Sequence, residues 1–135
     1  MKTLIIDDDA RNCKLLEAIL KDYGDCSVAL DGNSAIKLFE ESLKNKAPFD
    51  LVCLDIMMPE KDGYEVLRIL RNLEQNLVPP TDAKSRIIMV TALAEQENKA
   101  KAFYENCDGY LIKPVERKLL IEMLNKMGLI SKSPT

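Results

Sequence analysis

Acidic residues stand at two places where an apolar segment of the chain gives way to a polar one. Asp7, Asp8 and Asp9 follow the apolar run at the N-terminus, and Asp55 follows the unbroken apolar run over residues 51–54. Carboxylates that meet repel one another, which raises the pKa of at least one of them unless a cation lies among them. Carboxylate oxygens suit a hard divalent ion such as Mg²⁺. These residues therefore predict a magnesium site in which Asp55 acts as an ionised nucleophile.

A hydroxyl and an ammonium group follow two further apolar segments. Thr91 comes after residues 86–90, and Lys113 comes after residues 109–112. Groups of these types can hold the equatorial oxygens of a phosphoryl group during in-line transfer to a carboxylate. The combination predicts phosphoryl-transfer chemistry, provided that the fold brings the acids, the hydroxyl and the ammonium together.

The elements that must do this are five strands alternating with five helices. The predicted strands cover residues 2–6, 26–30, 51–54, 86–90 and 109–112. The predicted helices cover residues 10–23, a segment after Asp31, a segment after Asp62, residues 95–105 and a segment ending at Gly128. Such alternation predicts an α/β domain with a parallel sheet, right-handed crossovers and helices on both faces. The carboxyl ends of all its strands then lie at one edge, where ligands bind.

Local signals refine these helices. Asp31 and Asp62 are predicted N-caps, and Glu65 completes the spacing of a capping box with Asp62. Asp9 either caps the first helix or approaches the metal, and capping is the favoured interpretation. The helix over residues 95–105 has the fewest apolar residues, so we expect it to be the least firmly anchored.

The composition narrows the class of protein. The 135 residues carry a net charge of −3, which gives no electrostatic attraction to nucleic acid or anionic membranes. The absence of histidine excludes Ser-His-Asp or Cys-His catalysis and a phosphohistidine on this chain. The four cysteines lack metal-binding spacing and are predicted to be reduced packing residues of a cytoplasmic protein. We expect one domain over residues 1–128 and a C-terminal tail over residues 129–135.

The order of these segments resembles the receiver domain of two-component response regulators over essentially residues 2–127. The matching motifs are Ile6-Asp7-Asp8, Leu54-Asp55-Ile56-Met57-Met58-Pro59 with Asp62-Gly63, Thr91-Ala92, and Tyr110-Leu111-Ile112-Lys113-Pro114. The resemblance implies a flavodoxin-like, doubly wound fold of five βα units with strand order 2-1-3-4-5. It also implies a cis peptide bond between Lys113 and Pro114.

The resemblance assigns roles to individual residues. Asp55 is implied as the phosphoacceptor, Thr91 as a ligand of the phosphoryl oxygens, and Lys113 as the partner of Asp55 or its phosphate. Asp8, Asp55 and the backbone carbonyl of Met57 are implied as Mg²⁺ ligands, with Asp7 acting indirectly. On phosphorylation, Thr91 and Tyr110 are implied to move and to change the surface of the fourth helix, fifth strand and fifth helix.

The resemblance also implies a signalling domain that catalyses only its own phosphorylation and dephosphorylation. The phosphoryl donor is expected to be a sensor histidine kinase or a histidine phosphotransfer domain, and the output is expected to be a downstream protein target. No attached output module is expected, so the prediction is a stand-alone receiver, monomeric or weakly dimeric, without direct contact to nucleic acid or membrane.

One departure from the family pattern concerns the lifetime of the phosphorylated form. Met57 and Leu93 occupy two places where polar residues in the family assist the hydrolytic water. Both residues are apolar here, which predicts slow loss of the phosphoryl group.

Two other functions compete with this interpretation. The first is a Mg²⁺-dependent phosphohydrolase of the haloacid-dehalogenase type, because Asp7 and Asp9 fit the Asp-x-Asp opening of that family. Arg11 stands where that motif has threonine or valine, and its late acidic pair is missing. The second is a receiver-like binding module that is never phosphorylated, against which the presence of every acid, Thr91 and Lys113 argues.

Overall fold

The computed structural model describes residues 1–58, 60–76, 84–92 and 107–131. Its strands are β1 Thr3–Ile6, β2 Cys26–Ala29, β3 Leu51–Asp55, β4 Arg86–Thr91 and β5 Gly109–Ile112. All four neighbouring pairs are parallel, and the strands lie in the order β2-β1-β3-β4-β5. The predicted fold class and strand order are therefore confirmed.

Four α-helices are present among the described residues: α1 Ala10–Leu20, α2 Gly32–Lys44, α3 Gly63–Gln75 and α4 Arg117–Lys126. A short 3-10 helix, Lys21–Tyr23, continues α1. Helix α4 corresponds to the fifth predicted helix, because the predicted helix over residues 95–105 lies outside the described residues. Within the described ranges, no helix is long and apolar enough to cross a membrane.

The sheet separates two hydrophobic cores. Leu4 of β1 packs with Phe39 in the cluster that α2 and α3 cover, which we call the α2/α3 core. Ile5, the next residue, packs with Leu20 and Leu124 in the cluster that α1 and α4 cover, which we call the α1/α4 core. Because successive side chains of a strand point to opposite faces, a sheet covered on both faces needs uninterrupted apolar strands. This requirement explains the runs of apolar residues in the sequence.

Three helices begin at an aspartate whose side chain accepts a backbone hydrogen bond from the first turn. The N-caps are Asp9 for α1, Asp31 for α2 and Asp62 for α3. The N···O distances are 2.9, 2.8 and 3.0 Å, respectively. The capping interpretation of Asp9 is confirmed, as are the predicted caps at Asp31 and Asp62. Glu65, the other residue of the expected capping box, lies 3.8 Å from the Lys61 ammonium.

The four cysteines are free thiols, and three of them are buried. Burial raises the pKa of the Cys53 thiol to about 12, and burial together with the Asp7 charge raises that of Cys13 to about 11. These two side chains are therefore protonated at neutral pH and behave as small packing groups.

The amino-terminal edge of the sheet is held by a network of charged groups. The Arg71 guanidinium lies 2.8 Å from Glu74 and 3.0 Å from Asp108, and it donates to the Ser85 carbonyl at 2.8 Å. Glu74 in turn accepts from the Ser85 N–H at 2.7 Å, and Asp108 accepts from the Ile87 N–H at 2.8 Å. The end of α3 is thereby tied to the starts of β4 and β5.

Candidate functional site

The carboxyl ends of the strands are held together by hydrogen bonds that continue the sheet into the following loops. The Asp7 N–H donates to the Ala29 carbonyl at 3.1 Å, and the Lys113 N–H donates to the Thr91 carbonyl at 2.6 Å. On the central strand, the N–H of Ile56 donates to the Val90 carbonyl at 3.0 Å. The first loop residues after β1, β3 and β5 therefore stay in line with the neighbouring strands, which fixes their side chains at this edge.

The ammonium of Lys113 lies between two buried carboxylates. Its Nζ is 3.0 Å from Oδ2 of Asp7 and 3.3 Å from Oδ1 of Asp55. The exposed fractions are only 2% for Asp7 and 3% for Asp55. Lys113 follows the edge strand β5, whereas Asp7 and Asp55 follow β1 and β3, so the side chain of Lys113 reaches across the edge of β4. The contact between Lys113 and Asp7 was not anticipated from the sequence.

Backbone N–H groups also bind these two acids, at the second oxygen of Asp7 and at the oxygen of Asp55 that Lys113 contacts. The Asp9 N–H donates to Oδ1 of Asp7 at 2.9 Å, and the Met57 N–H donates to Oδ1 of Asp55 at 3.3 Å. The buried Cys13 thiol also donates to the backbone carbonyl of Asp7 at 3.4 Å. The two carboxylates are therefore oriented by the turns that directly follow their strands.

The acids of the site carry more negative charge than the Lys113 ammonium neutralises. Burial, followed by the charge of Asp7, raises the pKa of Asp55 to about 6, although Lys113 and the Met57 N–H both act to lower it. Burial of the ammonium lowers the pKa of Lys113, but its hydrogen bond to Asp7 and the charges of both acids outweigh burial and raise that pKa overall. One cation thus does not neutralise the acids around it.

A metal fits this donor set. Asp7, Asp8 and Asp55 each offer a carboxylate oxygen, and these oxygens lie within 4.8 Å of one another. Asp7 and Asp55 are buried, whereas Asp8 is exposed. Among the described residues, three carboxylates beside one ammonium leave a formal charge of −2, which a divalent ion would neutralise. Oxygen donors with this charge suit Mg²⁺ or Ca²⁺ better than a metal that prefers sulfur or imidazole.

Of the other predicted site residues, Thr91 and Met57 lie at the same edge, whereas Tyr110 lies within β5. Thr91 ends β4 and is fully buried. Tyr110 of β5 is half-buried against the α2/α3 core. The Met57 side chain is 51% exposed beside Asp55, while Leu93 lies outside the described residues. The peptide bond between Lys113 and Pro114 is cis, as the resemblance implied.

One feature of the site escaped the sequence analysis. Gly63, the first residue of α3, lies so close to Asp55 that an added Cβ would be 2.5 Å from the Asp55 carbonyl oxygen. The Asp62-Gly63 pair was noted in the sequence as part of a motif and as a helix start. A glycine directly after an N-cap was the available signal, although that signal does not reveal which residue the glycine approaches.

Comparison with known proteins gives a single family. The family model for the response regulator receiver domain matches residues 3–125. The chain is 34% identical over 125 residues to hybrid signal transduction histidine kinase I of Dictyostelium discoideum, with 92% of this chain and 7% of that protein aligned. It is 32% identical over 137 residues to the regulatory protein VanRB of Enterococcus faecalis, with 98% of this chain and 56% of that protein aligned. The chain thus spans about half or less of the length of these relatives.

A solved structure shows the same architecture. The CheX–CheY complex of Borrelia burgdorferi with BeF₃ and Mg²⁺ contains a chain that is 25% identical to this one. The match has a TM-score of 0.77 and covers 95% of this chain and 89% of that chain.

Proposed function

Because the chain belongs to the response regulator receiver domain family, we propose that it accepts a phosphoryl group on Asp55 and signals through the resulting change in its surface. Receiver domains are signalling domains of two-component systems and not enzymes of the conventional kind. The observation that carries the proposal is the contact of Lys113 with Asp55 and Asp7 at the carboxyl edge of the sheet. A nucleophile, a fixed cation and further acids thereby meet at one place.

In the proposed reaction, a carboxylate oxygen of Asp55 forms a bond to phosphorus while the bond from phosphorus to the donor nitrogen breaks. The electron pair of that bond remains on the imidazole of a phosphohistidine, which belongs to another protein because this chain has no histidine. Lys113 neutralises charge on the transferred group, and the Met57 N–H orients Asp55 for attack. Thr91 is assigned to the phosphoryl oxygens, since it ends the strand next to Asp55.

Asp8, Asp55 and the Met57 carbonyl would hold Mg²⁺, with Asp7 acting indirectly through its contact with Lys113. When bound, the ion supplies positive charge to the phosphoryl oxygens and favours the ionised form of Asp55. The complex from Borrelia burgdorferi contains Mg²⁺ together with BeF₃, which supports the same preference here.

The proposed output is a change at β5, α4 and the segment over residues 95–105, with Thr91 and Tyr110 as the residues that move. Receiver domains pair with histidine kinases and phosphotransfer proteins, and we propose such a donor for this chain. We propose a downstream protein target, a monomer or weak dimer, and a location in the cytoplasm. We place the domain in residues 1–128 and the tail in residues 129–135; Leu129 still donates to the Leu124 carbonyl at 3.0 Å.

The test is the intact mass of the protein after incubation with acetyl phosphate and Mg²⁺, compared with Asp55→Asn. We expect the wild type to gain one phosphoryl group, and we expect no gain in the variant or after chelation of the metal. A folded wild type that gains nothing would contradict the proposal and favour a binding module that is never phosphorylated. Steady release of phosphate without a gain in mass would favour the phosphohydrolase, which the family match does not support.

A further inference from the structure

The start of α3 lies directly against the backbone of the proposed phosphoacceptor. The N–H of Gly63 donates to the Ile56 carbonyl at 2.9 Å. A Cβ on residue 63 would lie 2.5 Å from the Asp55 carbonyl oxygen and 2.7 Å from the Cα of Ile56. Nonbonded carbon does not approach backbone atoms this closely, and a backbone cannot rotate away as the end of a flexible side chain can. Contact between α3 and Asp55 therefore requires a residue without a side chain.

Both sides of this contact are held in place by other parts of the fold. Helix α3 is held in place by Val66 and Leu67, which are both fully buried in the α2/α3 core. On the other side, the Ile56 N–H is bonded to the Val90 carbonyl at 3.0 Å in the adjacent strand. An added methyl group would act mainly on the backbone from Asp55 to Ile56, because the helix is anchored by its core residues over several turns.

The same stretch of backbone sets the position of the groups proposed to react and to bind metal. The carboxylate of Asp55 depends on the Met57 N–H at 3.3 Å and on the Lys113 ammonium at 3.3 Å. The Met57 carbonyl, a proposed metal ligand, comes one residue after Ile56. A displacement of a few tenths of an ångström at residues 55 and 56 would therefore change both the carboxylate and the carbonyl.

We infer that Gly63 is a positioning residue of the phosphoacceptor site, which fixes the Asp55–Met57 backbone in the geometry that binds a divalent cation and receives the phosphoryl group. The inference rests on the proposed function of Asp55. It assigns to Gly63 a role in the geometry of the site that is separate from its role as the first residue of a helix.

The chain contains a matched control for this role. Gly32 is the first residue of α2 and follows the N-cap Asp31, just as Gly63 follows Asp62. A Cβ on Gly32 would lie 3.0 Å from side-chain atoms of Lys61 and Val66, and no backbone atom is among its three nearest neighbours. Alanine at position 32 thus repeats the change of residue type at a helix start without pressing on Asp55.

The experiment compares Gly63→Ala with Gly32→Ala in the full chain. Far-UV circular dichroism first identifies conditions in which both variants are folded, with trimethylamine N-oxide added if Gly63→Ala is unstable. Mg²⁺ alone is then titrated by calorimetry, and phosphoryl uptake from acetyl phosphate is followed by intact mass. We expect Gly63→Ala to bind Mg²⁺ more weakly and to take up the phosphoryl group about 100-fold more slowly. We expect Gly32→Ala to match the wild type in both measurements.

Several outcomes would overturn the inference. One is a folded Gly63→Ala protein with the Mg²⁺ affinity and uptake rate of the wild type. Another is an equal loss in Gly32→Ala, which would show that the effect belongs to helix starts in general. Failure of Gly63→Ala to fold even with the osmolyte, while Gly32→Ala folds, would reduce the role of Gly63 to folding. Failure of the proposed function itself is distinguishable, because it would appear as absent uptake in the wild type.

Discussion

At the scale of single residues, the site places one ammonium among three carboxylates. Lys113 contacts Asp7 and Asp55 directly, and one carboxylate oxygen of Asp8 lies within 4.8 Å of an oxygen of each of these acids. Burial, followed by the negative charge of Asp7, is the physical reason why the pKa of Asp55 remains raised although a cation is in contact with it. Any further positive charge that enters the site, whether a metal ion or a proton, therefore stabilises it.

The raised pKa of Asp55 predicts an unusual dependence of stability on pH in the absence of Mg²⁺. The pKa of Asp55 is about 6 in the folded chain against a reference value of 3.8, so between these values the folded state binds the proton and the unfolded state does not. Stability contributed by this group consequently increases as the pH falls. From about pH 7 to about pH 5, the wild type should gain about 1 kcal/mol relative to Asp55→Asn.

The measurement is urea unfolding of both proteins at the two pH values with a chelator present. The caps Asp9 and Asp31, whose pKa values are lowered by their backbone hydrogen bonds, are common to both proteins and cancel in the difference. If the free energies of unfolding of the wild type and Asp55→Asn change equally between the two pH values, the raised pKa of Asp55 is contradicted.

A second prediction at this scale concerns Met57. Its apolar side chain is 51% exposed beside Asp55 and offers no group that could orient a hydrolytic water. The double variant Met57→Asn, Leu93→Glu should lose its phosphoryl group about tenfold faster, which corresponds to about 1.4 kcal/mol in the barrier. The loss is followed by intact mass after removal of the phosphoryl donor.

The control for this experiment is Leu30→Asn. Leu30 follows β2 at the same edge of the sheet and is exposed to a similar degree, at 49%. Its substitution should leave the lifetime unchanged. Equal lifetimes for the wild type and the double variant would remove Met57 and Leu93 from any account of slow hydrolysis.

The positions of the site residues could be predicted from the sequence, but their contacts could not. Asp7, Asp55 and Lys113 each follow an apolar run, and parallel strands necessarily end at one edge. Lys113 was expected beside Asp55, and its shorter contact to Asp7 was missed. Which of two acids a long side chain approaches more closely depends on the twist of the sheet and on rotamers, which leave no pattern in the sequence.

At the scale of elements, the amino-terminal edge of the sheet carries a network in which positive and negative charges are balanced. Two arginines and two acids, Arg71, Arg86, Glu74 and Asp108, face one another there. Glu74 is only 4% exposed in its side chain, and its second oxygen accepts from the Ser85 N–H. These four side chains have no net charge, and the two acids also pair with backbone groups at the starts of strands.

The network predicts different effects for its two arginines. Arg71 is 12% exposed and contacts both acids, so Arg71→Ala leaves the buried Glu74 carboxylate without the cation it contacts and should cost about 3–5 kcal/mol. Arg86 is 48% exposed and lies 3.3 Å from Asp108, so Arg86→Ala should cost about 1 kcal/mol or less. Urea unfolding at neutral pH measures both free energies. Similar costs for the two substitutions would contradict the assignment of Arg71 as the central cation.

Element positions were largely predictable, whereas this network was not. The strands agree with the sequence prediction within about one residue because buried strands read as apolar runs bounded by polar residues. Glu74 lies in the last turn of an amphipathic helix, where a glutamate ordinarily faces solvent. Its burial depends on Arg71 three residues earlier and on Ser85 in another element, and hydrophobic periodicity records neither contact.

At the scale of the whole molecule, the proposed metal site couples Mg²⁺ concentration to stability. A ligand that binds only the folded state at 100 times its dissociation constant adds about 2.7 kcal/mol to the free energy of unfolding. We expect Mg²⁺ to raise the melting temperature of the wild type and to have a much smaller effect on Asp8→Asn. Thermal unfolding with Mg²⁺ or with a chelator measures the difference. An equal response of both proteins would exclude Asp8 as a ligand.

The architecture as a whole followed from the sequence because one constraint determines it. Each strand is followed by a crossover long enough for a helix, and the apolar residues of β1 supply both faces of the sheet. Ile5 belongs to the α1/α4 core and Leu4 to the α2/α3 core. Strand order came from the family resemblance, since periodicity alone does not specify which strands are neighbours.

The contrast between the two edges has a consequence for how this protein tolerates change. The neutral network around Arg71 ties α3 to the starts of β4 and β5, and its charges are balanced without any ligand. The edge around Asp55 carries an excess of negative charge, which a small cation would neutralise. Substitutions that add positive charge near Asp55 should therefore increase the stability of the metal-free protein and weaken its signalling. Charge at the edge around Asp55 therefore affects stability and signalling together, whereas the network around Arg71 contributes to stability at the opposite end of the same five strands.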